Sequence, residues 1–142
     1  MPDAVFRSNV LPSGNRTIKV LLADDSEIIR RAIRALLRSQ PKIELVGEAA
    51  DFPQTVLMMN ELNPEVIVMD VHMPKGTAAT FLDLKSRLNH GSRMLAISVW
   101  NDEETKALAE SLGTFPLLDK MELSDKLIPT IMQLVSPKTP AA

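Results

Sequence analysis

The 142-residue chain is long enough for one globular domain and short for two. Hydrophobic residues make up 45% and charged residues 24%, which excludes an intrinsically disordered chain, and a net charge of −2 gives no electrostatic reason to expect nucleic acid. There is no cysteine, so disulfides and thiolate metal sites are excluded. No segment approaches the roughly 20 apolar residues of a membrane span, and the start Met-Pro-Asp-Ala-Val-Phe-Arg lacks a signal-peptide pattern. A soluble cytoplasmic protein is expected.

Residues 1–16, with Pro2, Pro12 and Gly14, read as a loose tail. Ile18 to Ala23 is an apolar run of strand length, followed by Asp24, Asp25 and the helix-capping type Ser26. An amphipathic helix follows. Ile28, Ile29, Ala32, Ile33, Leu36 and Leu37 are expected on its buried face, with Arg30, Arg31, Arg34 and Arg38 opposite. Ile43 to Ala49 reads as a strand and Pro53 to Leu62 as a helix with proline in its first turn. Glu65 to Asp70 is a strand that stays apolar from Val66 until its last residue.

The alternation continues with a helix over Ala78–Leu88, a strand over Arg93–Ser98 and a helix over Asp102–Leu112 capped by Gly113. Phe115–Leu118 is the expected fifth strand and Leu123–Val135 the last helix, ended by a tail over 136–142. Five strands alternating with five helices predict an α/β fold, with a parallel sheet, right-handed crossovers and helices on both faces.

Polar residues break the apolar runs at particular places. Asp24 and Asp25 follow the first strand, Asp70 and Ser98 end the third and fourth, and Lys120 follows the fifth. In a parallel sheet these ends share one edge, where open α/β sheets bind ligands. Carboxylates at about 4 Å repel by roughly 4 kcal/mol per pair at an effective dielectric near 20. A hard cation such as Mg²⁺ relieves that repulsion. The same set suits phosphoryl transfer: an aspartate as nucleophile, metal and lysine neutralising the equatorial oxygens, and a hydroxyl donating to one of them. Each residue alone has a plain alternative, since paired acids cap helices and an aspartate after a strand can be a turn residue. Their joint placement favours function.

The blocks Ile18-Lys-Val-Leu-Leu-Ala-Asp-Asp-Ser26, Val66-Ile-Val-Met-Asp-Val-His-Met-Pro74, Leu95-Ala-Ile-Ser98 and Leu117-Leu-Asp-Lys120 resemble those of response-regulator receiver domains. Pro41 to Ala50 resembles the second-strand segment of the LuxR/NarL-like branch. The resemblance covers residues 17–135. It implies a flavodoxin-like doubly wound (βα)5 sheet of order 2-1-3-4-5, with Pro116 tolerated on an edge strand.

By position the resemblance makes Asp70 the phosphoacceptor and a metal ligand, Asp25 a direct Mg²⁺ ligand and Asp24 an acid that binds the metal, often through water. The His72 backbone carbonyl completes the metal site. Ser98 is the hydroxyl that turns towards the phosphoryl group, and Lys120 the paired lysine. The implied partners are a histidine kinase or phosphotransfer protein as donor and a downstream protein as target, with no nucleic acid or membrane contact by this chain and homodimerisation left open.

Some positions depart from the family pattern. Leu117 stands where an aromatic is usual, with Phe115 two residues earlier, more plausible as core than as a substitute. Met121 replaces a common proline, Val99 a smaller residue, and the Lys75-Gly76-Thr77 loop lacks the later glycine. Trp100 reads equally well as a shield for the phosphate and as a half-exposed loop aromatic. The LuxR-type helix-turn-helix domain is absent, so the reading is a stand-alone receiver or a fragment of a transcription factor. Two other functions are weaker readings of the same residues. A small Mg²⁺-dependent phosphohydrolase is disfavoured because Asp70-Val71-His72 lacks the Asp-x-Asp of haloacid-dehalogenase-like phosphatases. A degenerate receiver acting as a binding module is disfavoured by the complete acidic set.

Overall fold

The computed structural model describes residues 16–88, 91–100, 102–112 and 117–135. Strands β1 (Ile18–Ala23), β2 (Ile43–Ala49), β3 (Val66–Asp70), β4 (Arg93–Ser98) and β5 (Leu117–Asp119) alternate with helices α1 (Glu27–Arg38), α2 (Phe52–Leu62), α3 (Ala78–Leu88), α4 (Glu103–Ser111) and α5 (Leu123–Val135). A 3₁₀ turn over Lys120–Glu122 leads into α5. All pairings are parallel and the order is β2-β1-β3-β4-β5, so β1, β3 and β4 are central, as expected. Residues 1–15 of the expected N-terminal tail, the C-terminal tail, Gly113, Phe115 and Pro116 lie outside the described residues, while Arg16 pairs with Glu65.

Strand alternation divides the core into two layers. Ile18, Val20 and Leu22 of β1 join Val66, Val68, Leu95 and Ile97 under α1 and α5, where Ile33, Leu37, Leu127 and Ile131 complete the packing. Leu21, Ala23, Ile67, Met69 and Ala96 point to the opposite layer, covered by Phe52 and Met59 of α2, Leu84 of α3 and Ala109 of α4. With both faces covered, the central strands are apolar throughout rather than alternating.

Local chemistry sets the helix starts. Ser26, Asp51 and Asp102 each occupy an N-cap and accept a backbone N–H from the first turn of α1, α2 and α4. Asp102 is therefore a cap rather than the first helical residue, and α2 begins at Phe52, one residue before Pro53.

The buried face of α1 is narrower than the sequence suggested. Ile33 and Leu37 are buried and Ile29 and Leu36 partly so, but Ile28 is 78% exposed and Ala32 is also exposed. Six apolar residues span more of the circumference than one helix resting on a sheet can bury. Of the expected fifth strand, Leu117 and Leu118 are described and are in β5, which runs on to Asp119.

Candidate functional site

At the C-terminal edge the chain turns away from the sheet after β1 and β3, and both turns are closed by an aspartate. Asp24 Oδ1 accepts the Ser26 N–H at 2.8 Å, and Asp70 Oδ1 accepts the His72 N–H at 2.8 Å. These bonds to the residue two positions on are Asx turns, which leave the second carboxylate oxygen of each residue free to face the other. Asp24 is fully buried and Asp70 nearly so, whereas Asp25 is exposed.

Lys120, at the start of the 3₁₀ turn after β5, reaches both buried acids. Its Nζ lies 2.7 Å from Asp24 Oδ2 and donates to Asp70 Oδ2 at 3.0 Å. One carboxylate oxygen from each of Asp24, Asp25 and Asp70 can be chosen so that all three lie within 4.8 Å of one another. The fold thus brings together four of the residues picked out in the sequence.

The electrostatics are unbalanced, with one ammonium facing three carboxylates. Burial pushes the Asp24 carboxyl up, and nearby Asp70 adds to that push. The hydrogen bonds and charge from Lys120 and the Ser26 N–H oppose it without reversing it. For Lys120 burial acts to lower the ammonium, but Asp24 and Asp70 more than compensate and hold it above the usual lysine range. The buried Oδ2 of Asp24 has the Lys120 ammonium as its ion-pair partner. Three carboxylates within reach of one another, two of them sharing a single ammonium, offer the hard oxygen donors that a divalent cation such as Mg²⁺ takes.

Ser98 ends β4, is 1% exposed, and accepts the Trp100 N–H on its Oγ at 2.9 Å. It lies in register with Asp119, next to Lys120. The His72 side chain is exposed, and its Nε2 lies 3.1 Å from the hydroxyl of Thr105, a buried residue in the first turn of α4. Asp102 caps that turn by accepting the Thr105 N–H at 2.8 Å. That bond, with the nearby His72 ring as a lesser cause, holds the Asp102 carboxyl below the usual aspartate range.

Leu117, at the position where the family usually has an aromatic, packs half-buried against the layer under α2 to α4. Val99 and Trp100 are 56% and 58% exposed, and Met121 is 85% exposed. The Lys75 loop takes a form of its own. Lys75 has a left-handed φ of 68° and pairs with Asp51 at 3.5 Å, while Gly76 lies beneath the edge-to-face rings of Phe52 and Phe81.

Two residues at this edge escaped sequence reasoning. Thr105 is three residues after Asp102, a capping pattern that gives no hint of His72 as a partner. Arg30 donates from Nη1 to the Asp24 carbonyl at 2.6 Å. Its sequence signal was a cation in the first turns of a helix, where the dipole disfavours one.

A doubly wound sheet with buried acids and a lysine at its C-terminal edge is a class of fold and site suited to a metal-assisted phosphoacceptor. The chain belongs to the response regulator receiver domain family, which it matches over residues 20–132. It is 37% identical over 110 residues to protein-glutamate methylesterase/protein-glutamine glutaminase 2 of Shewanella oneidensis, covering 75% of this chain and 30% of that one. The corresponding enzyme of Thiobacillus denitrificans is 31% identical over 139 residues, covering 88% and 39%. This chain therefore spans about a third of the length of these relatives.

Among solved structures, the response regulator domain of Thermotoga maritima CheB aligns with a TM-score of 0.72 and 27% identity, covering 86% of this chain and all of that one. The signal receiver domain of Mycobacterium tuberculosis NarL aligns with a TM-score of 0.73 and 20% identity, covering 82% and 94%. The likeness to NarL is one of fold. No described helix is long and apolar enough to cross a membrane.

Proposed function

We propose that this receiver domain accepts a phosphoryl group on Asp70, with Asp24, Asp25 and the His72 carbonyl holding Mg²⁺ and Lys120 and Ser98 assisting the transfer. The observation that carries this reading is the shared grip of Lys120 on Asp24 and Asp70, at 2.7 and 3.0 Å, within a trio of acids whose oxygens lie within 4.8 Å of one another. Mg²⁺ held by these residues would supply positive charge to the phosphoryl oxygens and ease the repulsion among the three acids.

An oxygen of the Asp70 carboxylate attacks phosphorus as the P–N bond of a donor phosphohistidine breaks, and the bond's electron pair leaves with the imidazole. The product is an aspartyl phosphate. Lys120 Nζ, already 3.0 Å from Asp70 Oδ2, neutralises charge on the transferred group. The Ser98 hydroxyl, which accepts the Trp100 N–H, turns to donate its own O–H to a phosphoryl oxygen, which pulls on the β4–α4 connection.

A histidine kinase or phosphotransfer protein is the donor, and the output is a protein–protein contact in the cytoplasm. The reading assigns the chain no enzyme activity beyond its own phosphorylation and dephosphorylation. The likeness to part of the methylesterases favours an enzyme module over DNA as the downstream target. The test is incubation with a small phosphodonor, with and without Mg²⁺, followed by intact mass. Gain of one phosphoryl group only with Mg²⁺ is expected, and no gain under any donor contradicts the reading.

A further inference from the structure

Sequence patterning put Arg30 on the solvated face of α1, yet its side chain is only 17% exposed. It stands four residues after the Ser26 cap, where the helix dipole works against a cation. Two acceptors on different elements hold it there. Nη1 donates to the Asp24 carbonyl at 2.6 Å and Nε donates to Glu48 Oε1 of β2 at 3.2 Å. Glu48 is fixed in turn by Arg34, whose Nη2 donates to the same Oε1 at 2.9 Å and whose Nε donates to Oε2.

The Asp24 carbonyl lies beyond the end of β1 at Ala23, so the guanidinium supplies a donor that the ladder does not. That oxygen belongs to the peptide unit joining Asp24 to Asp25. A peptide unit is planar, so holding its oxygen also fixes the direction in which Asp25 leaves.

We propose that Arg30 is a positioning residue for the acidic pair, locking the Asp24–Asp25 peptide plane against β2 so that both carboxylates face one divalent cation. The proposal rests on the Mg²⁺ reading of the site. Arginine suits the task because its rigid fork presents two donor nitrogens at separate, fixed positions, whereas lysine offers one nitrogen on a flexible stem. Arg34 is a natural control, because it grips the same Glu48 and both of its hydrogen bonds end there.

The test is calorimetric titration of the intact chain with Mg²⁺ alone, at fixed pH and ionic strength, for wild type, Arg30→Lys, Arg30→Gln and Arg34→Lys. Amide spectra establish that each variant is folded, and urea denaturation gives its stability. Both Arg30 variants are expected to bind Mg²⁺ about tenfold more weakly, as supports of metal ligands commonly do when removed. Arg34→Lys is expected to lose stability while staying within about twofold of wild-type affinity.

An Arg30→Lys affinity within about twofold of wild type, or an equal loss in Arg34→Lys, overturns the positioning role and leaves the metal reading standing. A wild-type chain that binds no Mg²⁺ overturns the metal reading, and the proposal with it.

Discussion

Replacing Lys120 with methionine keeps much of the side chain's volume and removes the one ammonium that touches both buried acids. At an effective dielectric near 20, contacts of 2.7 and 3.0 Å each carry roughly 6 kcal/mol of attraction. Much of that offsets the desolvation of an ammonium only 8% exposed and of carboxylates 0% and 7% exposed. Removing one partner of such a group destabilises by about 3–5 kcal/mol, because the remaining charges stay buried. Protonation of one acid relieves part of this, so a loss of about 3 kcal/mol at pH 7 is expected for Lys120→Met.

The pH dependence has a definite sign. Burial already raises Asp24 in the wild type, and losing Lys120 raises it further. The folded variant then binds protons that the unfolded chain does not, so its stability rises as pH falls from 7 towards the ordinary value of 3.8. Added Mg²⁺ restores stability at pH 7 by binding only the folded state. Urea denaturation between pH 5 and 7, with and without Mg²⁺, is the assay. A variant within about 0.5 kcal/mol of wild type at pH 7, with no gain on acidification, refutes the reasoning.

Three further outcomes are expected. Arg34 holds the Glu48 carboxyl below the ordinary 4.5, so the stability from this pair is complete above that value and disappears as pH falls through the lower folded value. Urea melts should show Glu48→Gln about 1 kcal/mol less stable at pH 7, with the gap closing in acid. Thr105→Val removes the hydroxyl beside His72 Nε2 and should cost about 1 kcal/mol and move the ring's NMR signals; unmoved signals contradict that contact. Gly76→Ala would put a methyl group 2.8 Å from Phe81 Cζ and 3.0 Å from Phe52 Cδ2. Because those rings brace each other at 5.3 Å, a destabilisation of about 1–3 kcal/mol is expected in thermal melts.

The sheet order followed from the resemblance to receiver domains, whereas the parallel α/β class and the acid–lysine edge were legible because parallel strands buried on both faces must be apolar throughout. Asp24, Asp70 and Ser98 therefore stood out where those runs end. Other features depend on contacts distant in sequence. Periodicity shows which face of α1 is apolar but not how much of it the sheet covers, so Ile28 and Ala32 were placed inside. Arg30 looked like any solvated arginine, because its partners on β2 and at the end of β1 meet it only in the folded chain. Thr105 was hidden for the same reason, its partner His72 lying 33 residues away.

The most direct test of the central role given to Asp70 is to locate the phosphoryl group itself. After treatment with phosphodonor and Mg²⁺, borohydride reduction converts an aspartyl phosphate to homoserine, which peptide mass spectrometry can place in the sequence. Homoserine at position 70, absent without donor and absent in Asp70→Asn, is the expected result. Labelling at another residue, or labelling that persists undiminished in Asp70→Asn, contradicts the account.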